Sequence, residues 1–305
     1  MFNHLIPLMQ REWLQHRLAW ALLVLIPLGL AALPLVVGQI DLSGDLAQHS
    51  GTELAAMLGT IAIVATTAVI FLLVWITSMF ITSSLARRDH ADRSVEFWLS
   101  LPTGHSESLL APLLVHLVLV PAAALVAGLL GGLLLSALVV TRFVGVGEWF
   151  ALPWGTVLSG MLALVARVAA GLPLATLWLM PLILLAILCN ALFRRWGLPV
   201  LAVALGLGSV VLEKLFGQPL LDQTLAYLGQ SAGLSLADAS GQGVSINENT
   251  PPAEPLASMP AWALHDFGAA LQAAASPGFG AAVLASAGLF AILVLWRQRG
   301  AGHAG

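Results

Sequence analysis

Six apolar runs, residues 18–39, 55–85, 108–140, 171–192, 198–216 and 279–296, dominate this chain. Each has about the length, 17–25 residues or more, that a helix needs to cross the hydrocarbon core of a bilayer. At about 1.5 Å rise per residue, a run of this length in a helix reaches across a core of about 30 Å. The expected fold class is therefore an all-α membrane protein with six transmembrane helices in a single transmembrane domain spanning residues 1–305. With 9% charged residues, against about 25% in soluble domains, the chain has little with which to cover an aqueous surface. The single cysteine, Cys189, offers no disulfide framework.

Taken in order, residues 1–17 carry Phe2, Leu5, Ile6, Met9 and Trp13 at helical spacing, with His4, Arg11, Glu12 and His16 between them. This pattern predicts an amphipathic interfacial helix ahead of the first span. Pro27 and Pro34 are expected to kink that span. Spans two and three, at about thirty residues each, should project beyond the membrane around a charged bend at 86–107. His116 lies in span three, where a hydrogen bond within the bundle is the expected role. Residues 157–170 are too short to cross and contain Arg167, which costs about 2.5–3.5 kcal/mol at a helix centre. They read as a re-entrant or surface helix on the outer side. The stretch 217–276 has five acidic residues and no Lys or Arg, and reads as an external loop or small cap.

Charge fixes the expected orientation. Arg11, Arg17, Arg87, Arg88, Arg93, Arg194, Arg195, Arg297 and Arg299 fall on one side of this arrangement, with Arg142 alone in the opposite loops. Positive residues favour the cytoplasmic side, so both termini and the bend are expected there, and 217–276 outside.

Inside the bend, Asp89 or Asp92 can cap a short helix, and Val95, Trp98, Leu99 and Leu101 share a side next to Phe97. Pro102 and Gly104 stop it. By spacing alone this is either an amphipathic turn lying on headgroups or a knob that fills a groove on a cytosolic partner. The run DRSVEFWLSLP, from Asp92 to Pro102, resembles the signature that follows the second membrane helix in bacterial type 2 ABC transporter permeases, the membrane subunits of ATP-binding-cassette exporters. Residues 177–218, with Trp178, Pro181, the paired Arg194 and Arg195, and Glu213, resemble a second pattern of that family. His105 and Pro112 depart from it, where relatives carry an acidic residue and a Lys.

The resemblance implies an N-terminal amphipathic elbow helix, a cytoplasmic coupling helix between helices 2 and 3, and a place in a bacterial inner membrane. It also implies a second permease copy, identical or similar, and a separate ATP-binding subunit that carries ATP and Mg. That subunit would dock on Arg88, Asp92, Arg93, Ser94, Val95, Glu96, Phe97, Trp98, Leu99, Leu101 and Pro102. The chain itself is expected to bind no cofactor, metal or nucleic acid and to have no enzymatic site. A P-loop needs a Lys after its second glycine, and the sole lysine is Lys214 in VLEKLFG. Motifs of metalloproteases and of elbow-type serine hydrolases are absent from the sequence. Two alternatives stand beside the exporter. One is a lipid-acting membrane enzyme centred on Arg167 and Glu213, charges that would otherwise line a cavity; the other is a non-transporting scaffold or sensor that uses the external loop.

Overall fold

The structure, a computed structural model, describes residues 5–38, 51–85, 105–242 and 253–301. Among these residues 93% are helical and none forms a strand, so the chain is all-α. In order the helices are α1 (Leu5–Val37), α2 (Gly51–Ser83), α3 (His105–Leu114), α4 (Val120–Phe143), α5 (Val146–Ala151), α6 (Trp154–Phe193), α7 (Gly197–Phe216), α8 (Leu220–Leu236), α9 (Ala253–Ala274) and α10 (Pro277–Ala301). A π turn, Val115–Leu119, joins α3 to α4, and a 3₁₀ turn, Arg194–Trp196, joins α6 to α7. Among the described residues five segments are long and apolar enough to cross a membrane: Ile6–Val37, Gly51–Ser83, Ser106–Phe143, Trp154–Phe216 and Pro277–Trp296. The chain thus has the character of a multi-pass membrane protein.

The most extensive packing joins α2 to α4 as an antiparallel pair. Glycines set how close they come. A Cβ on Gly132 would lie 2.8 Å from the Ile63 Cα, one on Gly128 2.8 Å from the Thr67 Cα, and one on Gly59 3.0 Å from the Ser136 hydroxyl. These contacts recur every four residues on both helices, so backbone rests on backbone along one seam. Gly128 and Gly132 form the GxxxG spacing by which membrane helices gain dispersion contact where lipid supplies no hydrophobic drive. Gly131, on the adjacent face, lies against the Leu28 side chain of α1.

Helix α6 is the hub. It packs against α2, α4, α7, α8, α9 and α10 and, at 40 residues, is about 60 Å long, twice the bilayer's hydrocarbon thickness. A short outer helix at 157–170 and a separate span at 171–192 are not what forms; one helix runs through both and through Pro173 and Pro181. The expected penalty at Arg167 is removed by a partner, so nothing forces a break. Helix α1 likewise runs unbroken from Leu5 to Val37, with no joint between an elbow at 1–17 and a span at 18–39. Span three gains a π turn near its start, at Val115–Leu119.

The stretch 217–276, read from composition as a loop or small cap, contains α8 and α9. Its small residues are packing residues: Ala232, Ala263 and Ala270 are buried, together with Leu228 and Leu256. Small side chains let helices approach closely. A Cβ on Gly160 of α6 would meet the Leu256 carbonyl at 2.8 Å. The run 241–255, GQGVSINENTPPAEP, offers almost nothing to bury and by sequence reads as the most mobile part of this stretch; its residues 243–252 lie outside the described residues.

Candidate functional site

Two centres of buried charged or titratable side chains stand out among the described residues. The first begins with Pro121. Proline has no N–H and its ring crowds the carbonyl four residues back, here that of Leu117. The chain answers with the π turn Val115–Leu119 immediately before it, and the Thr176 hydroxyl of α6 donates to the Leu117 carbonyl at 3.3 Å. A π turn adds a residue and turns the side chains that follow its start. His116 sits in this turn, fully buried, with Nε2 3.2 Å from Glu12 Oε2 of α1. Which of the two carries the shared proton depends on the imidazole tautomer: an Nε2–H donates to the carboxylate, and a bare Nε2 accepts from a protonated Glu12.

His16, one helical turn after Glu12 on α1, is half-buried. Its ring stands edge-on to that of His116 at 5.4 Å between centroids. Trp20, one turn further, closes the side at 5.9 Å from His116 and 6.3 Å from His16. One ligand-type atom each from Glu12, His16 and His116 lie within 4.8 Å of one another. His116 Nδ1 and Trp20 Nε1 are buried with no hydrogen-bond partner. The expectation that His116 makes a hydrogen bond within the bundle is met. Glu12, expected among the polar positions of an interfacial helix, is instead 3% exposed and turned toward span three.

The second centre is Arg167 on α6. Its Nη2 lies 2.7 Å from Asp266 Oδ2 on α9, and Nε donates to the same oxygen at 2.8 Å. Nη1 donates to the Ser235 carbonyl at 2.8 Å, at the C-terminal end of α8, where carbonyls lack intrahelical partners. Phe267 packs beneath the guanidinium at 5.6 Å. The other Asp266 oxygen accepts the Ser240 N–H at 2.7 Å. Both side chains are fully buried. Burial pushes the Asp266 carboxyl up, but the Ser240 hydrogen bonds and the Arg167 charge outweigh it and hold it below the ordinary carboxylate range. This is a saturated knot that ties α6, α8 and α9 together.

Arg167 therefore takes Asp266 as its partner, and not Glu213. Glu213 and its neighbour Lys214 are exposed on α7. The polar centre proposed for an enzyme is not assembled from these two residues. Sequence reasoning missed Asp266 because 217–276 read as a loop. The available signal was Trp262, which lies four residues before Asp266 and so on the same helical side. It missed His16 as a companion of His116, although Glu12 and His16 are four apart on one helical face.

The bend residues Arg88, Asp92, Arg93, Ser94, Val95, Glu96, Phe97, Trp98, Leu99, Leu101 and Pro102 lie outside the described residues. The two ends that carry the bend are described, and both are clamped. On the α2 side Ser78, Thr82, Ser83 and Leu85 are buried, and Asn190 of α6 donates to the Ser83 carbonyl at 2.8 Å. Gly197 fits against Asn190 so closely that a Cβ would lie 2.4 Å from its Cα. On the α3 side Leu109 and Leu113, with Leu117 of the π turn, pack with Ile183, Leu184, Ile187 and Leu293 of α6 and α10. Compared with protein-family models, with curated proteins and with solved structures, the chain matches none.

Proposed function

We propose that this chain is the membrane-spanning permease subunit of an ATP-binding-cassette exporter in a bacterial inner membrane. In this reading it has six spans, the run Trp154–Phe216 counting as two because it turns at Arg194–Trp196, and both termini are cytoplasmic. Two copies, or this chain and a similar one, enclose the path. A separate ATP-binding subunit docks on the bend at 88–102. Phe97, Trp98, Val95 and Leu99 fill its groove, while Asp92, Arg93 and Glu96 set the register.

The observation that carries the reading is the clamping of both bend ends into the bundle. A push on a bend hung from slack linkers would be absorbed by the linkers. Here the push passes through Asn190 and the Leu109–Ile187 cluster into α6 and α10, and along the glycine seam of α2 and α4. Closure of the ATP-binding dimer thereby becomes rotation of the bundle.

The test is purification from detergent-solubilised membranes of the wild type and of the Phe97→Ala/Trp98→Ala variant, with identification of what co-purifies. An ATP-binding-cassette subunit recovered with the wild type and lost from the variant is the expected result. Normal coupling of transport to ATP hydrolysis in the double variant would sink the docking role, and absence of any ATPase from both preparations would sink the exporter reading.

A further inference from the structure

We propose that Glu12, His16 and His116 form a binding site for a divalent transition-metal cation of the zinc type, bridging α1 to the π turn at the base of span three. The donor set, two imidazoles and a carboxylate, is one that zinc takes when three protein groups bind it and a fourth position stays open. Zinc binds such nitrogens and oxygens at about 2.0–2.2 Å, which in a tetrahedron separates ligand atoms by roughly 3.4 Å. Glu12 Oε2 and His116 Nε2 already stand 3.2 Å apart, and all three ligand atoms lie within 4.8 Å, so a small inward movement of His16 completes the triangle.

Two of the ligands come from one helical face and the third from a different element, and each placement has its own cause. Glu12 and His16 are four residues apart on α1, while His116 is set by the π turn that Pro121 imposes. Beside the Glu12–His116 contact the second imidazole, 5.4 Å from the first and edge-on to it, adds a third donor. Burial of Glu12 and His116 with the wall of Trp20 keeps competing water out on one side. The half-buried His16 marks the side from which an ion enters. The inference is independent of the exporter reading, since it concerns ion binding by the chain alone.

The experiment uses the full chain in detergent, stripped with chelator and titrated calorimetrically with Zn²⁺, with Co²⁺ absorption reporting the ligand field. One tightly held ion per chain is expected, with Co²⁺ bands of a four- or five-coordinate site with nitrogen and oxygen ligands. Loss of even an outer partner of a metal ligand typically weakens binding 10–100-fold. His16→Ala and Glu12→Gln, which remove ligands, should therefore weaken it by roughly 100-fold or more. His265→Ala, at an exposed histidine on α9, should leave it unchanged. His16 is only half-buried, so its variant tests the site with the least risk to folding. The proposal is overturned if the wild type takes up no stoichiometric Zn²⁺, if its Co²⁺ complex shows only six-coordinate aqua-like absorption, or if His16→Ala and Glu12→Gln bind as the wild type does.

Discussion

At the scale of single residues, the structure replaces an isolated membrane charge by a neutralised one. Arg167 alone would be costly in a bundle of this composition; Arg167 with Asp266, two helix-end carbonyls and an aromatic face is satisfied on every side. Removing one partner leaves the other buried and unpaired, which typically costs about 3–5 kcal/mol, whereas replacing both by apolar groups costs far less. Arg167→Met should therefore lower the melting temperature of the purified protein much more than Arg167→Met combined with Asp266→Leu. The pair also sets an acid limit. Because the folded carboxyl of Asp266 is held below its ordinary value, its contribution is complete above about pH 4 and is lost as the pH falls through the depressed value. Melting temperature followed from neutral to acid pH should fall more in that window for the wild type than for Asp266→Asn.

At the scale of elements, the seam between α2 and α4 depends on the absence of side chains. A Cβ at Gly132 would come within 2.9 Å of the Ile63 carbonyl as well as of its Cα, and overpacking of this kind costs typically about 1–3 kcal/mol. Gly132→Leu should lower the melting temperature accordingly. Gly29→Ala on α1, where nothing lies within 4 Å of the added carbon, should leave it equal or slightly raised, since alanine favours a helix. The π turn makes a second expectation. Pro121→Ala returns an N–H to the Leu117 carbonyl, allows the turn to regularise, and swings His116 off Glu12. A double-mutant cycle on Glu12 and His116 should give coupling on the order of 1 kcal/mol with Pro121 present and close to none without it.

At the scale of the whole molecule, the legible and the illegible divide along a physical line. The existence and type of the long helices were readable because bilayer-length apolar runs leave the backbone few choices: 55–85 became α2, 198–216 became α7, and 279–296 lies within α10. What was not readable depended on partners distant in sequence. Arg167 looked like a reason to end a helix because Asp266, 99 residues away, could not be seen to cover it. Glu12 looked like one more polar position of an interfacial helix because its contact with His116 spans 104 residues. The stretch around α8 and α9 looked like a loop because its polar and acidic residues set its composition apart from the spans, and composition does not show that the small residues between them pack against α6. His116 was recognised as a bundle residue, yet the turn that aims it follows from Pro121 and Thr176 together, and only the first of these is local.

The four-residue recurrence along α2 and α4 has a mechanical consequence. Where backbone lies on backbone at Ile63 and Thr67, the smooth side of one helix meets the smooth side of the other once per turn and nowhere between. Sliding by less than a turn, about 5.4 Å, would drive neighbours such as Leu129 and Leu133 into the facing chain. The pair is therefore stiff to shear: like two toothed rails locked in mesh, the helices move lengthwise together or not at all.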